Sequence, residues 1–579
     1  MCIRDRSYPL HYVQEETRSR DIVYFRYIEL STINTMKKQR RKFIKDTALL
    51  AGASLIPIHY SFNNDSFNYT KAPFEDLDTL CVNDWWKIKE NPIINLKVDR
   101  KNIIAFGIYT LSNNILKLSA QLYPLYPNES RFISFQIKTN NKWKELSKQK
   151  INDIGWSTLF RFQNWNSKID QEYRLVHENG SFFNGKIRKD PIDKNIIKLA
   201  AFSCNSNKDR GDRNNYIKNV THQDPDILFF GGDQSYDHKQ HTAAWLKFGL
   251  QFKELFRNRP CITIPDDHDI GQGNLWGEGG KKAHRIQGDD GGYYYHHEYI
   301  KMVERCQTSH LPDPFDPTPI EQGINVYYTT LNYGEIDFAI IEDRKFKSGP
   351  KEKIPNQGPR PDHILNPNYS PNDIDLDGLK LLGDRQLHFL KKWSNKSKKN
   401  TMKALLSATS FCGSAHLHGQ KTNRLHADLD SNGWPQKGRN KALKIIKKAN
   451  AVHIGGDQHL ASIVHHGTKS FEDGPFQFIV PALVNNYYSR WWWPENEKPG
   501  ELANNKLPWT GRYLDGFNNK ITMHAYANPD SPSNGAGYGL ILFNKEKNNV
   551  TFQCWPRFED VTKKDAKQFK GWPFIVDLN

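Results

Sequence analysis

The chain has 579 residues, 37 % hydrophobic and 12 % aromatic, which excludes a disordered protein and leaves room for more than one domain. Its formal net charge is +17, yet no zinc-finger, RNP-like or basic-helix pattern turns that charge toward nucleic acid. The excess reads first as solvated lysine surface and second as attraction for anionic esters. Seven cysteines without regular spacing exclude a disulfide framework.

At the amino end, Met1-Cys2-Ile3-Arg4-Asp5-Arg6 resembles translated adapter sequence, so residues 1–35 read as a spurious or unstructured extension and Met36 as the natural start. Residues 36–60 carry Arg40-Arg41-Lys42-Phe43-Ile44-Lys45 followed by a short apolar run from Thr47 to Ile58. That pattern resembles a twin-arginine leader and is too short for a stable membrane span. It predicts the twin-arginine export machinery as a partner, and a periplasmic, cell-surface or secreted location. Residues 61–90 read as a linker.

Residues 91–193 change to short alternating segments. Ile103–Tyr109, Leu116–Tyr123, Phe132–Ile137, Trp156–Phe162 and Glu172–Val176 predict strands, with turn residues such as Asn113-Asn114 and Asn179-Gly180 between them. Several such strands predict a small all-β sandwich with a packing or surface-binding role.

Residues 194–579 hold the chemistry. Asp226-Ile227-Leu228-Phe229-Phe230-Gly231-Gly232-Asp233 is an apolar strand that stops at two glycines and a carboxylate. The same plan recurs: Ile196–Ser203 ends at Cys204, Cys261–Pro265 at Asp266-Asp267-His268-Asp269, and Ala451–Gly456 at Asp457-Gln458-His459. In an open α/β sheet such strand ends converge. Asp233 is placed to bridge two cations, with Cys204 and His459 suited to a transition metal and Asp267 and Asp457 to a harder one. The alternatives are turn caps for Asp267 and Asp269, a buried hydrophobe for Cys204 and a helix cap for His459.

This set resembles the PhoD-type alkaline phosphatases of the calcineurin-like metallophosphoesterase superfamily. Phe202–Asn205, Gly232–Tyr236, Asp266–Asp269 and Gly456–His459 carry the resemblance, with Glu342–Phe346 and Leu382–Leu390 as secondary matches, over about Asn91 to Arg490. It implies a four-layer α/β sandwich behind the N-terminal β-sandwich. It implies iron (Fe3+) held by Cys204, Asp233, Tyr236 and His459, with calcium at Asp233, Asp267 and Asp457, and Mn or Mg as alternatives there. Glu342-Asp343-Arg344-Lys345-Phe346 resembles the family's Asp-x-Arg stretch, and Asp343 is a substrate-binding candidate. Departures are Cys204-Asn205-Ser206 in place of Asp-x-His, and no middle histidine near Ser407–Ser410, although His416 and His418 lie close.

Around this centre, His268 is the candidate to protonate the leaving oxygen, Arg344 to neutralise phosphate charge, and Asn274 to contact metal or phosphate. Gly271–Gly280 reads equally as a phosphate cradle or a lid. Lys351–Asn372 reads as a surface loop, and Trp491-Trp492-Trp493 as core or as a stacking wall. The expected activity is hydrolysis of a small phosphate ester by in-line attack of a metal-activated hydroxide, by a monomer. A phosphodiesterase or phospholipase D-type activity on the same core, and a non-catalytic surface-binding protein, are the alternatives.

Overall fold

The computed structural model describes residues 72–578, apart from 75, 83, 357, 359, 397–400, 422, 486 and 492–506. The extension, the leader, the first part of the linker, Asn486, Trp492 and Trp493 lie outside the described residues.

Two sheets form the centre. In the first, Cys261–Ile264, Ile227–Gly231 and Ile196–Asn205 run parallel, and Gly537–Asn544, Asn549–Pro556 and Phe574–Asp577 extend it antiparallel. The carboxy-terminal strands thus close the catalytic sheet through Gly539–Phe543, as their apolar runs predict. The second sheet has eight strands, with Ile336–Ile340, Met402–Leu406, Ala451–Gly455 and Phe476–Ile479 parallel at its middle. These strands read as continuous apolar runs because both faces are covered.

The sheets meet face to face through Phe338 on Phe543 and Phe478 on Phe552. The helices His241–Phe256 and Asn214–Gln223 cover the first sheet, and Gly383–Asn395 and Gln436–Lys448 pack together over the second. The result is the helix–sheet–sheet–helix layering of a metallophosphoesterase-type α/β fold.

In front lie a three-stranded sheet and a four-stranded sheet, between Ile104 and Ile187. The five strands read from alternation are all present. Two more were not legible. Lys142–Lys150 has exposed residues on both faces, the lysine-rich habit of a protected edge, and so carries no period-2 signal. Phe182–Ile187 is short and interrupted by Asn184-Gly185.

Residues 72–90 are no free linker. Leu80, Cys81 and Trp85 are buried in the main core, and the Trp85 indole donates to Leu125 O at 2.9 Å. Asp78 accepts from Thr242 N and Oγ1 at the start of the His241–Phe256 helix, at 2.7 and 2.8 Å. Gly249 in that helix lets Phe106 close on it, since a Cβ there would stand 1.8 Å from the Phe106 ring. Among the described residues, no helix is long and apolar enough to cross a membrane.

Candidate metal centre and phosphoester pocket

The strand ends do converge. The thiol of Cys204, a carboxylate oxygen of Asp233 and a ring nitrogen of His459 lie within 4.8 Å of one another. Carboxylate oxygens of Asp233, Asp266, Asp267 and Asp457 form a second such group, so Asp233 belongs to both. Asp266 was not singled out as a donor in the sequence, because its neighbour Asp267 already satisfied the motif.

The backbone shows what the convergence demands. Cys204, Asp233, Asp457 and His459 all adopt positive φ, at 57°, 56°, 67° and 53°. Non-glycine residues in this region cost conformational energy and cluster at functional sites. Gly232, at φ 98°, is needed twice over: a Cβ there would also stand 2.5 Å from Asp266 Cβ.

Tyr236 Oη donates to Asp233 Oδ2 at 2.8 Å and lies 3.0 Å from His459 Nε2. The Tyr487 carbonyl takes the Nδ1 proton of His459 at 2.7 Å. Nε2 is thereby left with a bare lone pair facing Tyr236, which is how a ligand imidazole is oriented. Burial holds His459 below the usual histidine range, so the ring stays neutral.

Asp233 Oδ1 and Asp267 Oδ1 are buried and accept no hydrogen bond. Burial, and then the charges of neighbouring carboxylates, push both groups well above the usual carboxylate range. Burial and the charges of Asp233 and Asp457 do the same to the Cys204 thiol. Buried carboxylates with orphaned oxygens beside a thiol fit hard and borderline cations. The residues present therefore fit a metal centre.

Arg344 faces the other way. Its Nε and Nη2 donate to Asp266 at 2.7 and 3.2 Å, Nη1 donates to Asp430 Oδ1 at 2.6 Å, and Nη2 lies 3.2 Å from Asp457 Oδ2. Its burial works against the charge, and those three carboxylates outweigh it. Arg344 is the fixed cation beneath the carboxylates, with no donor left for a phosphate. Asp343 is also turned inward. It accepts from Ala408 N, Thr409 N and Asn432 Nδ2 at 3.0, 3.0 and 2.7 Å, and so holds the loop after Met402–Leu406. That loop carries Thr409, whose hydroxyl donates to Asp457, in place of a middle histidine.

Above the carboxylates opens a cavity of about 420 Å³ lined by Tyr236, Asp267, His268, Asn274, Asp457 and His459. His268 lies against Tyr236 with ring centroids 4.1 Å apart and planes tilted by 37°, and its Nδ1 lies 2.7 Å from His238 Nε2. Burial and nearby positive groups hold His268 well below its usual range, hence neutral. His238 carried no motif and was not legible as a partner. Asn274 donates to Asp362 Oδ2 at 2.7 Å, so its amide is one wall of the cavity. Asp269 is a cap: Oδ2 accepts from Asp266 N and Asp233 N at 3.0 and 2.8 Å.

Two loops differ from their expected form. Gly277 N and Gly279 N donate to Arg344 O and Lys345 O, so the second half of the 271–280 loop is packed as scaffold, while Gly273 and Asn274 of its first half line the cavity. The Lys351–Asn372 loop gives Arg360, Asp362 and His363 to the cavity wall. Trp491 is buried and its indole donates to Trp509 O at 3.1 Å, which makes it core.

Residues 246–481 match the model of the PhoD-like phosphatase family. The chain carries a PhoD-like phosphatase domain. With it the chain is a metal-dependent phosphoric ester hydrolase. The matched segment holds Asp267, His268, Asp457 and His459, while Cys204, Asp233 and Tyr236 precede it. Among solved structures, that of PhoD is similar with a TM-score of 0.56 and 13 % identity, over 83 % of this chain and 92 % of the other. That likeness speaks for the fold. The structure of purple acid phosphatase PPD1 from yellow lupin (Lupinus luteus) seeds gives a TM-score of 0.49 and 12 % identity, over 82 % of this chain and 73 % of the other. No curated protein sequence matches the chain.

Proposed function

We propose that the chain is an exported PhoD-type alkaline phosphatase acting on small phosphate esters, with iron (Fe3+) held by Cys204, Asp233, Tyr236 and His459. Calcium is held by Asp233, Asp267 and Asp457, with Asp266 beside them. The reading rests on Asp233, which belongs to both donor groups and whose Oδ1 is buried without a hydrogen-bond partner. Bound cations supply Lewis acidity toward phosphoryl oxygens and make a water nucleophilic near neutral pH. Support for export is the basic, paired-arginine start and short apolar run of residues 36–60.

The chain's own residues do the rest. Tyr236 and His459 fix each other and Asp233. His268 gives its Nε2 proton to the leaving oxygen while His238 Nε2–H passes a proton to His268 Nδ1, and His238 regains one at Nδ1 from solvent. Arg344 ties Asp266, Asp430 and Asp457 together beneath the donor groups and so holds those carboxyls in place.

A second reading, diester hydrolysis, is favoured by an adjoining cavity of about 460 Å³ that shares Gly273, Asn274, Arg360 and Asp362 with the first. It offers room for a second ester group, beside Trp276 and Ile286. Metal analysis of the purified protein, with mono- and diester assays before and after chelation, tests both readings. Absence of bound metal together with no hydrolysis of either ester class overturns them. Iron at Tyr236 predicts a visible ferric–tyrosinate band that disappears in Tyr236→Phe; a band that persists there refutes that ligand.

A further inference from the structure

We propose that His363, His418 and Asp428 form a further cation site in the cavity wall, separate from the carboxylate–thiolate floor and suited to a borderline divalent ion of the zinc class. One donor atom from each of the three lies within 4.8 Å of the others, and all three line the same cavity as Asp233 and His459.

Two very short ladders assemble the site. His363–Ile364 pairs antiparallel with Ala427–Asp428, and His363 stands directly opposite Asp428. Leu417–His418 pairs antiparallel with Ser489–Arg490, and His418 stands opposite Ser489. Residues directly opposite in an antiparallel pair bring their Cβ atoms to about 5 Å. The first ladder thus ties His363 to Asp428, and the second fixes the backbone of His418 against Ser489.

The imidazoles are oriented as ligands are. His418 Nδ1 lies 3.0 Å from Ser489 Oγ, which fixes the ring. Its Nε2 is buried and has no hydrogen-bond partner. A buried polar atom without a partner calls for a ligand, a water or an ion. His363 Nε2 lies 3.3 Å from Asp362 Oδ2, the carboxylate–histidine pairing that commonly steadies metal-binding rings. The two rings lie nearly parallel, 12° apart with centroids at 5.8 Å. Tyr487 also stacks on His418, with ring centroids 5.0 Å apart. Two neutral imidazoles and one carboxylate, open toward a cavity, are the donor set of zinc sites that keep a coordination position free. The floor of the pocket is by contrast rich in oxygen donors, so the two regions select different ions.

The test counts metal. The full chain is stripped with chelator, dialysed against micromolar Zn2+ and analysed for zinc per chain, beside a His363→Gln/His418→Gln variant. One zinc more per chain in the unmodified protein supports the site; equal counts overturn it. Far-UV circular dichroism and melting establish that the variant folds. Should it fail to fold, Ser489→Ala carries the test, because it leaves all three donors in place. Loss of the support on His418 is expected to weaken one zinc equivalent by about 10- to 100-fold, and an unchanged affinity of every equivalent overturns the proposal. Neither readout depends on turnover, so the count stands apart from the proposed hydrolysis.

Discussion

His238 Nε2 and His268 Nδ1 lie 2.7 Å apart, joining a ring in the active cavity to one that lines the neighbouring cavity. The pair makes His268 a proton donor that can be refilled without leaving its site. His268→Gln is expected to lower kcat by about 10²- to 10⁴-fold on esters with a poor alkoxide leaving group. On p-nitrophenyl phosphate, whose leaving group needs no proton, the loss is expected to be small. Equal losses on both substrates would remove the general-acid role. His238→Phe is expected to show the same pattern with a smaller loss.

Chelation is expected to cost more stability at high pH than at low pH. Asp233, Asp266 and Asp267 are held well above the usual carboxylate range, chiefly by burial. Their folded pKa exceeds the unfolded value, so the stripped fold binds more protons than the unfolded chain. Its stability therefore falls as pH rises above the unfolded carboxylate range toward the folded values. Bound cations remove this dependence. The drop in Tm on chelation is expected to be larger at about pH 8 than at about pH 5. A drop of the same size at both pH values contradicts the assignment of these groups as metal carboxylates.

Lys345 is a buried ammonium between two carboxylates, 2.6 Å from Glu304 Oε1 and 3.2 Å from Glu342 Oε1. Burial raises Glu342 to about 7 even with Lys345 beside it. Lys345→Met leaves both acids unpaired and is expected to lower unfolding stability by about 3–5 kcal/mol. Adding Glu304→Gln and Glu342→Gln is expected to restore much of that. A loss below about 1 kcal/mol in the single variant, read by denaturant melts, would place it with exposed pairs instead.

What the sequence disclosed follows from where the chemistry sits. Cys204, Asp233, Asp267 and Asp457 each follow a buried strand, and an apolar run ending in a lone polar residue is visible without coordinates. His363, His418 and Asp428 sit on strands of two residues within loops, which have no period to read. Arg344 and Asp343 were legible as charges but not as partners. Residue type does not say whether a guanidinium is already surrounded by carboxylates, and only the packing of Asp266, Asp430 and Asp457 around it decides that. The front strands were legible wherever one face is buried, and Lys142–Lys150 was lost because neither is.

Phe106, on the front strand Ile104–Ser112, sits edge-on to Trp245 and against Phe256, at the bare stretch of helix left by Gly249. That helix begins at His241, a few residues beyond Tyr236 and His238. The front sheets are thus a splint for the loop that carries a metal donor and a proton donor. A catalytic half cut out at residue 194 for expression would uncover Trp245 and Phe256 where Phe106 now covers them, and free the helix start from Asp78. Such a fragment should be expected to clump, so anyone seeking a smaller enzyme should trim elsewhere.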